Sequence, residues 1–456
     1  FYTVLLADAM RKTNILYGKP TLLSSGTDEH GLKIIQSAEK EGLDISKYCN
    51  KASKLFSANN TLANVECDDF IRTTENRHQI IVNLIWKELM NKGLLMMKQS
   101  EGYYCVSEER FITNKELTQN PKGEIVTTEN KPVELISEEN YTMQIDEQTL
   151  ELYKSYTGIT DNRNKNSNNE PNKIVIGKSQ IGEVKEYISS GLLDFTVSRP
   201  VKRVPWGIPV PNDPNFTIYV WFEALINYIT VAVSDFLQNK NFTVEDIRSF
   251  STLQNIIQDV TFQHLIGKDI TKFHCYLFPL MLIACNLLPK RMSIFTHHHF
   301  QVNKVKMSKS LNNSLDPNDL IKKTSFDAVR YYFISNGPQN KDVSLTEKTV
   351  EQTYNTDIAD SLVNLLMRIS NKKLVDINKY SKVNKEYIEG LVSKDHSDDF
   401  RKTIAEVYWN TQEKIKKMKR SLEEYEYSVV SFLVHSILLD LNKLVHSTEF
   451  WKISQE

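Results

Sequence analysis

The stretch "KPTLLSSGTDEHG", residues 19 to 31, sets the strongest limit on what this chain can fold into. A β-rich run, Leu22 to Ser24, ends in a turn of small residues that carries Asp28, Glu29 and His30 and then runs into a helical pattern. A strand end feeding a helix is where open parallel sheets gather ligand-binding groups. Residues 1–96 alternate helical patterns with short apolar strands and read as the first half of an α/β sheet. Residues 97–190 lose that rhythm and include "TDNRNKNSNNEPNK", a polar low-complexity run that cannot bury a core, so an inserted module with a loop is expected there. The α/β pattern returns over 191–298 in "TIYVWFEALINYITVAV", "VTFQHLIGKDI" and "PKRMSIFTHHHF". Residues 299–345 read as a basic loop and a linking region. From 346 to 456 the pattern is helical: Val350, Tyr354, Ile358, Leu362, Leu365 and Ile369 recur at three- and four-residue intervals, which predicts a separate all-α bundle.

Charge narrows the partners little. Fifty-six basic residues stand against 57 acidic ones, a net charge of -1, so any polyanion must be met by local patches and not by a global field. Cys49, Cys67, Cys105, Cys275 and Cys285 form no C-x-x-C pair, which argues against a disulfide framework or a cysteine-rich zinc site and for a reducing compartment. No apolar run reads as long enough to span a bilayer, and no membrane partner is expected. His297, His298 and His299 are neighbours on a predicted strand, so they point to opposite faces and cannot converge on one metal ion.

The segment "VKMSKSLNNSLDP", residues 305 to 317, has no apolar periodicity. Its lysines are point-charge donors on flexible stems, and its serines add neutral donors. Such a loop suits a displacement in which negative charge grows on phosphate oxygens. Lys306 and Lys309 would then clamp a triphosphate; the alternative is a solvated surface loop.

"KMSKS" resembles the signature loop of class I aminoacyl-tRNA synthetases. "SSGTDEHG", "EGYYCVSEERF", "EENY", "SRPVKRVPWGIPVP", "IYVWFEALINYI", "HLIGKDITKFH" and "DSLVNLLMR", in this order, narrow the resemblance to the methionyl-tRNA synthetases. The resemblance implies a Rossmann-type parallel sheet split by a connective insertion and followed by an anticodon-binding helix bundle. It also implies activation of L-methionine by ATP with Mg2+, and transfer to tRNA(Met). An ATP site is implied at Gly267, Asp269 and the loop residues Lys306, Met307, Ser308, Lys309 and Ser310, with Arg199 as a further active-site group that pairs with Asp269 or substrate, or else forms a surface salt bridge. Asp28 is the implied anchor of the amino group. A thioether is apolar and polarizable and asks for aromatic and aliphatic walls. Trp221, Ala224, Leu225 and Tyr228, at helical spacing, with Phe273, His274 and Phe278, resemble that pocket; the alternative for such a stripe is plain core. Phe278 stands where the family commonly has Trp, which makes that wall smaller. Asn364, Arg368 and Trp451 match anticodon-reading positions, an amide, a guanidinium and an indole suited to unpaired bases.

Three departures shape the expectations. "FYTVLLAD" resembles the segment just downstream of the family's His-Ile-Gly-His signature, so the numbered chain is expected to start immediately after that signature; a tRNA-binding paralogue without catalysis is the alternative. The loop reads "SLNN" where Ser-Leu-Gly-Asn is common, and Asn312 tolerates left-handed angles. The insertion holds Cys105 alone and no zinc is expected. The wording near "RPVKRVPWGIPVPND" and the Asn, Lys and Ile content suggest a fungal mitochondrial member, placed in the mitochondrial matrix or else the cytoplasm, acting as a monomer.

Overall fold

The computed structural model describes residues 1–107, 109–112, 116–159, 174–191, 194–247, 249–302, 305–307, 315–371, 386, 390 and 399–448. They form two compact units, Leu22–Thr296 and Phe1–Thr21 together with His297–Glu456. The fold class is the one the sequence predicts: α/β with parallel strand pairs, and a helical C-terminal region.

In the unit Leu22–Thr296, Ser24–Thr27 pairs parallel with Asp69–Arg72, and the helices Leu32–Lys40 and Ile45–Leu62 make the crossover between them. Gly26 is required at this pairing: a Cβ there would lie 2.1 Å from the Ile71 carbonyl oxygen. Asp44 caps the second crossover helix by accepting from the backbone of Ser46 and Lys47. A second sheet holds Thr261–Gly267, Arg291–His297 and Ile174–Ile176, with Met292–Ile294 parallel to Ile174–Ile176. Those last three residues fall inside the stretch 97–190 expected as insertion. The run Ile-Val-Ile is a short, fully apolar strand, and Tyr153, Ile159 and Val184 from the same stretch share its buried core. The antiparallel part of that stretch is a ten-pair ladder from Leu95↔Met143 to Tyr104↔Glu134, flanked by Asp194–Thr196 and Arg110–Phe111.

The core of this unit gathers on the helix Val220–Gln238, which packs on the helix Asn76–Asn91; Trp86 meets the Phe222 ring edge-on at 5.7 Å. Trp86 is 1% exposed. Trp86→Ala is expected to cost about 3–5 kcal/mol, seen as a lower denaturant midpoint, because the emptied volume is walled by two elements that cannot both relax.

In the other unit, the helix Tyr2–Leu16 is tied to distant sequence. The Tyr2 ring packs edge-on against His297 at 5.1 Å and Phe300 at 5.2 Å. Asp8 pairs with Arg330, Tyr425 donates to Asn14 Oδ1 at 2.6 Å, and Thr13 meets the Tyr427 hydroxyl at 3.0 Å. Phe300–Val302 lies between Val343–Ser344, parallel to it, and Val305–Lys306, antiparallel. The helices Asp399–Glu423 and Tyr427–Thr448 form a hairpin pinned by Lys414, which donates to Ser436 Oγ at 2.7 Å and pairs with Asp440.

The reading that no apolar run reaches bilayer length is corrected here. Val220–Gln238 and Tyr427–Thr448 both do so by length and composition. Scattered polar residues such as Asn227 and His435 hide the runs in the sequence. The first helix is mostly core, with 56% of its apolar window buried; the second has 11% buried among the described residues.

Candidate active site

The strand Ser24–Thr27 delivers its turn into a tight web. Glu29, 2% exposed, takes two hydrogen bonds from Arg72 at 2.7 and 3.0 Å and one from Thr27 at 2.9 Å, while its carbonyl accepts from Trp206 Nε1 at 2.6 Å. Gly31, at φ 99, closes the turn, and its N–H bonds the Trp206 carbonyl at 3.1 Å. Glu29 is thereby spent on holding the turn. Asp28 is left facing solvent. Protein atoms crowding the carboxyl, then the negative charge of Glu223, push its pKa up to about 7, and its remaining contact with water works against the full shift.

A buried chain of groups lies behind Asp28. Glu223 accepts from His30 Nδ1 at 3.0 Å and from His78 Nε2 at 2.8 Å, and His78 Nδ1 meets Thr230 Oγ1 at 3.0 Å. Glu223 and His78 are 0% exposed and His30 is 6% exposed. Burial pushes the Glu223 carboxyl up, but the two imidazole hydrogen bonds outweigh it and leave the pKa low. A carboxyl held below its unfolded value near 4.3 adds stability above that pH and loses it as pH falls through the folded value. This chain links three elements: the motif turn, the helix Asn76–Asn91 and the helix Val220–Gln238. The sequence reading missed it, although a lone glutamate amid "VWFEALINYI" is a signal, since a carboxylate on an apolar helix must find partners. Glu223→Gln is expected to cost about 1–3 kcal/mol in urea denaturation, because the amide keeps one acceptor oxygen for two buried imidazole N–H donors and leaves one of them unmet.

The helix Val220–Gln238 presents Trp221 and Tyr228 on the side where a turn of π-helix, Lys272–Leu277, presents Phe273 and His274. Trp221 and Phe273 stack at 4.0 Å with planes 4° apart. The Tyr228 hydroxyl meets His274 Nε2 at 2.8 Å, and His274 Nδ1 meets the Ile270 carbonyl at 3.2 Å, so Nδ1 carries the proton and Nε2 accepts from Tyr228. Burial pushes His274 down to about 4, and burial with His274 pushes His264 down to about 3; both are neutral at pH 7. Burial and then the Asp28 charge raise the Tyr228 hydroxyl, which places Asp28 within electrostatic reach of this group. The result is an uncharged, polarizable wall with one carboxylate beside it, a match for a zwitterionic amino acid with a soft apolar side chain. Ala224 lines the same helix at 6% exposure, while Leu225 at 1% and Phe278 at 0% sit in the core, Phe278 with its ring against Tyr228 and His264.

Gly267 ends the strand Thr261–Gly267, and Asp269 is exposed on the turn Lys268–Ile270 that comes next. Arg199 is not at the surface. It is 2% exposed, and its guanidinium lies 4.2 Å from the Tyr219 ring centre and 5.5 Å from those of Tyr104 and Phe111. In the other unit, Asn364 is exposed and Arg368 half-buried on the helix Asn364–Ile369. Lys306 pairs with Gln301 through its backbone, and Met307 comes after it, half-buried. Ser308, Lys309, Ser310 and Trp451 lie outside the described residues. The three adjacent histidines do not converge on one point: the His297 ring meets Thr3, the His298 ring faces Asp342 at 3.6 Å, and His299 bonds the same Asp342 through its backbone N–H at 3.0 Å.

A parallel-stranded unit whose strand end carries such a turn, with the "KMSKS" segment beyond it, defines a class: the profile of the family described as "tRNA synthetases class I (M)" matches residues 1–370. The chain belongs to this family, together with the methionine–tRNA ligases it is similar to. The mitochondrial "Probable methionine--tRNA ligase" of Schizosaccharomyces pombe is 34% identical and covers 100% of this chain and 79% of that protein. The corresponding Dictyostelium discoideum protein is 36% identical over 82% of this chain. The crystal structure of Mycobacterium tuberculosis methionyl-tRNA synthetase bound by methionyl-adenylate is 26% identical, with a TM-score of 0.79, over 100% of this chain and 82% of that one. The chain spans 62% of the Dictyostelium relative, 64% of a Bacillus subtilis one and 59% of a human mitochondrial one.

Proposed function

We propose that this chain is the catalytic and anticodon-reading part of a methionine–tRNA ligase. The observation that carries the reading is the neutral wall of Trp221, Phe273, Tyr228 and His274 beside the solvent-facing Asp28. Asp28 holds the α-ammonium, and the Trp221–Phe273 stack and Tyr228 hold the thioether. The α-carboxylate attacks the α-phosphorus of ATP, bringing Mg2+ with it; the bond to the β,γ-phosphates breaks and pyrophosphate leaves with the electron pair. Lys306 and Lys309 neutralise the charge that accumulates on that leaving group. Asp269 suits a ribose diol, and Gly267 gives room for the adenosine. The terminal ribose hydroxyl of tRNA(Met) then attacks the mixed anhydride and AMP departs. Asn364, Arg368 and Trp451 read the anticodon, and the insertion works without zinc. The mitochondrial names of the Dictyostelium, S. pombe, human and Neurospora crassa relatives support a mitochondrial matrix location. Methionine-dependent ATP–pyrophosphate exchange by the full-length protein tests the reading; no exchange with any amino acid would overturn it.

A further inference from the structure

Glu109 stands apart from the other residues that share its backbone conformation. It sits at φ 53, in the left-handed region, on the turn that joins the strand Leu95–Cys105 to Arg110–Phe111, and its N–H bonds the Val106 carbonyl at 3.2 Å. Among the described residues, the other non-glycine residues at positive φ are five asparagines and Tyr425. Local turn chemistry favours Asn or Gly in that conformation, so the glutamate is explained by what its side chain reaches. It reaches the start of the helix Leu32–Lys40. Gly31 is the N-cap there and has no side chain to offer, and no acidic residue lies in the first turn. Glu109 Oε1 supplies the missing acceptor from 76 residues away, taking the Lys33 N–H at 3.0 Å. The close approach suits a glycine at position 31: a Cβ there would lie 2.4 Å from Glu109 Oε1 and displace the carboxylate.

The turn between the strand Ser24–Thr27 and this helix carries Asp28, which is exposed, so its placement depends on the backbone around it. Within the turn, Arg72 holds Glu29, Glu223 holds His30, and the Trp206 carbonyl takes the Gly31 N–H. Glu109 adds the hold on the first turn of the helix. We propose that Glu109 is a positioning residue for amino acid binding: by capping the helix Leu32–Lys40 it keeps the preceding turn in the conformation in which Asp28 meets the α-ammonium. This role rests on the ligase reading above. Without the cap, the turn samples other conformations, and the apparent affinity for methionine falls with the fraction of chains that hold the competent one.

The test uses Glu109→Ala, Glu109→Gln, Asp28→Asn and the combination of Glu109→Ala with Asp28→Asn, all in the full-length protein. Glu109→Ala should raise the KM for methionine in ATP–pyrophosphate exchange about tenfold, with kcat and the KM for ATP within about twofold of wild type, and should speed hydrogen–deuterium exchange at the Lys33 amide. Glu109→Gln, whose amide oxygen still accepts from Lys33, should restore the KM to within about threefold of wild type. On top of Asp28→Asn, Glu109→Ala should add less than about twofold, because Asp28 is the group through which it acts. A purely structural role lowers the thermal midpoint and the active fraction, hence kcat, and leaves the KM for methionine as in wild type. That result, an unchanged Lys33 amide, or a full tenfold effect of Glu109→Ala on top of Asp28→Asn overturns the proposal. No methionine-dependent pyrophosphate exchange in wild type overturns the ligase reading and the positioning role with it, and the Lys33 amide then still reports whether Glu109 caps the helix.

Discussion

Asp28→Asn is expected to lower kcat/KM for methionine by about 100-fold, mostly through KM, with the KM for ATP nearly unchanged. The asparagine keeps the shape and one acceptor but removes the charge that, in the proposed function, faces the ammonium, and a hydrogen bond to a charged group is worth about 1.5–3 kcal/mol. A pH series separates this role from a structural one. In the wild type the free carboxyl titrates at a raised pKa, because protein crowding and Glu223 oppose its charge. Bound ammonium favours the carboxylate, so a proton must leave before methionine binds. Methionine affinity should therefore rise with pH through that pKa and level off above it, by as much as tenfold per unit below it. Asp28→Asn abolishes this dependence between about pH 5 and 7.5, since the amide does not titrate there. Isothermal titration at fixed ionic strength reads both effects; a variant that keeps the wild-type slope would assign the titration to another group.

Lys309→Ala is expected to slow methionyl-adenylate formation by about 100-fold or more while methionine affinity stays within about threefold. The ammonium meets little extra charge in the ground state, and its contribution appears as the pyrophosphate departs. Rapid-quench measurement of adenylate formation with saturating ATP checks it. A matching loss of methionine binding would place the lysine in the amino acid site instead. Lys309→Arg should restore part of the rate, since charge is kept and only its placement changes.

The α/β class was legible because the pattern repeats locally. The strand itself lies further along than the predicted run Leu22 to Ser24, spanning Ser24–Thr27, and the turn "GTDEHG" needs a glycine at positive φ, which Gly31 supplies at 99°. The aromatic wall was legible in part: helical spacing put Trp221 and Tyr228 on one side of their helix, but nothing local separated them from Leu225 and Phe278, which are buried in the core. Arg199 shows the same limit. Its sequence neighbourhood left open an active-site role beside Asp269 or substrate and a surface salt bridge; the fold buries it and surrounds it with Tyr104, Phe111 and Tyr219. The long apolar helix Tyr427–Thr448 was missed because single polar residues interrupt the run without lowering its average.

By itself the sequence determined the strand-to-helix rhythm, the family motifs and the residue types available for phosphate and thioether chemistry, since these depend on spacings of a few residues along one element. The tertiary structure alone decided which charges meet. Glu223 takes its partners from 193 and 145 residues away. Burial and pKa arise from such long-range contacts, and no local periodicity encodes them.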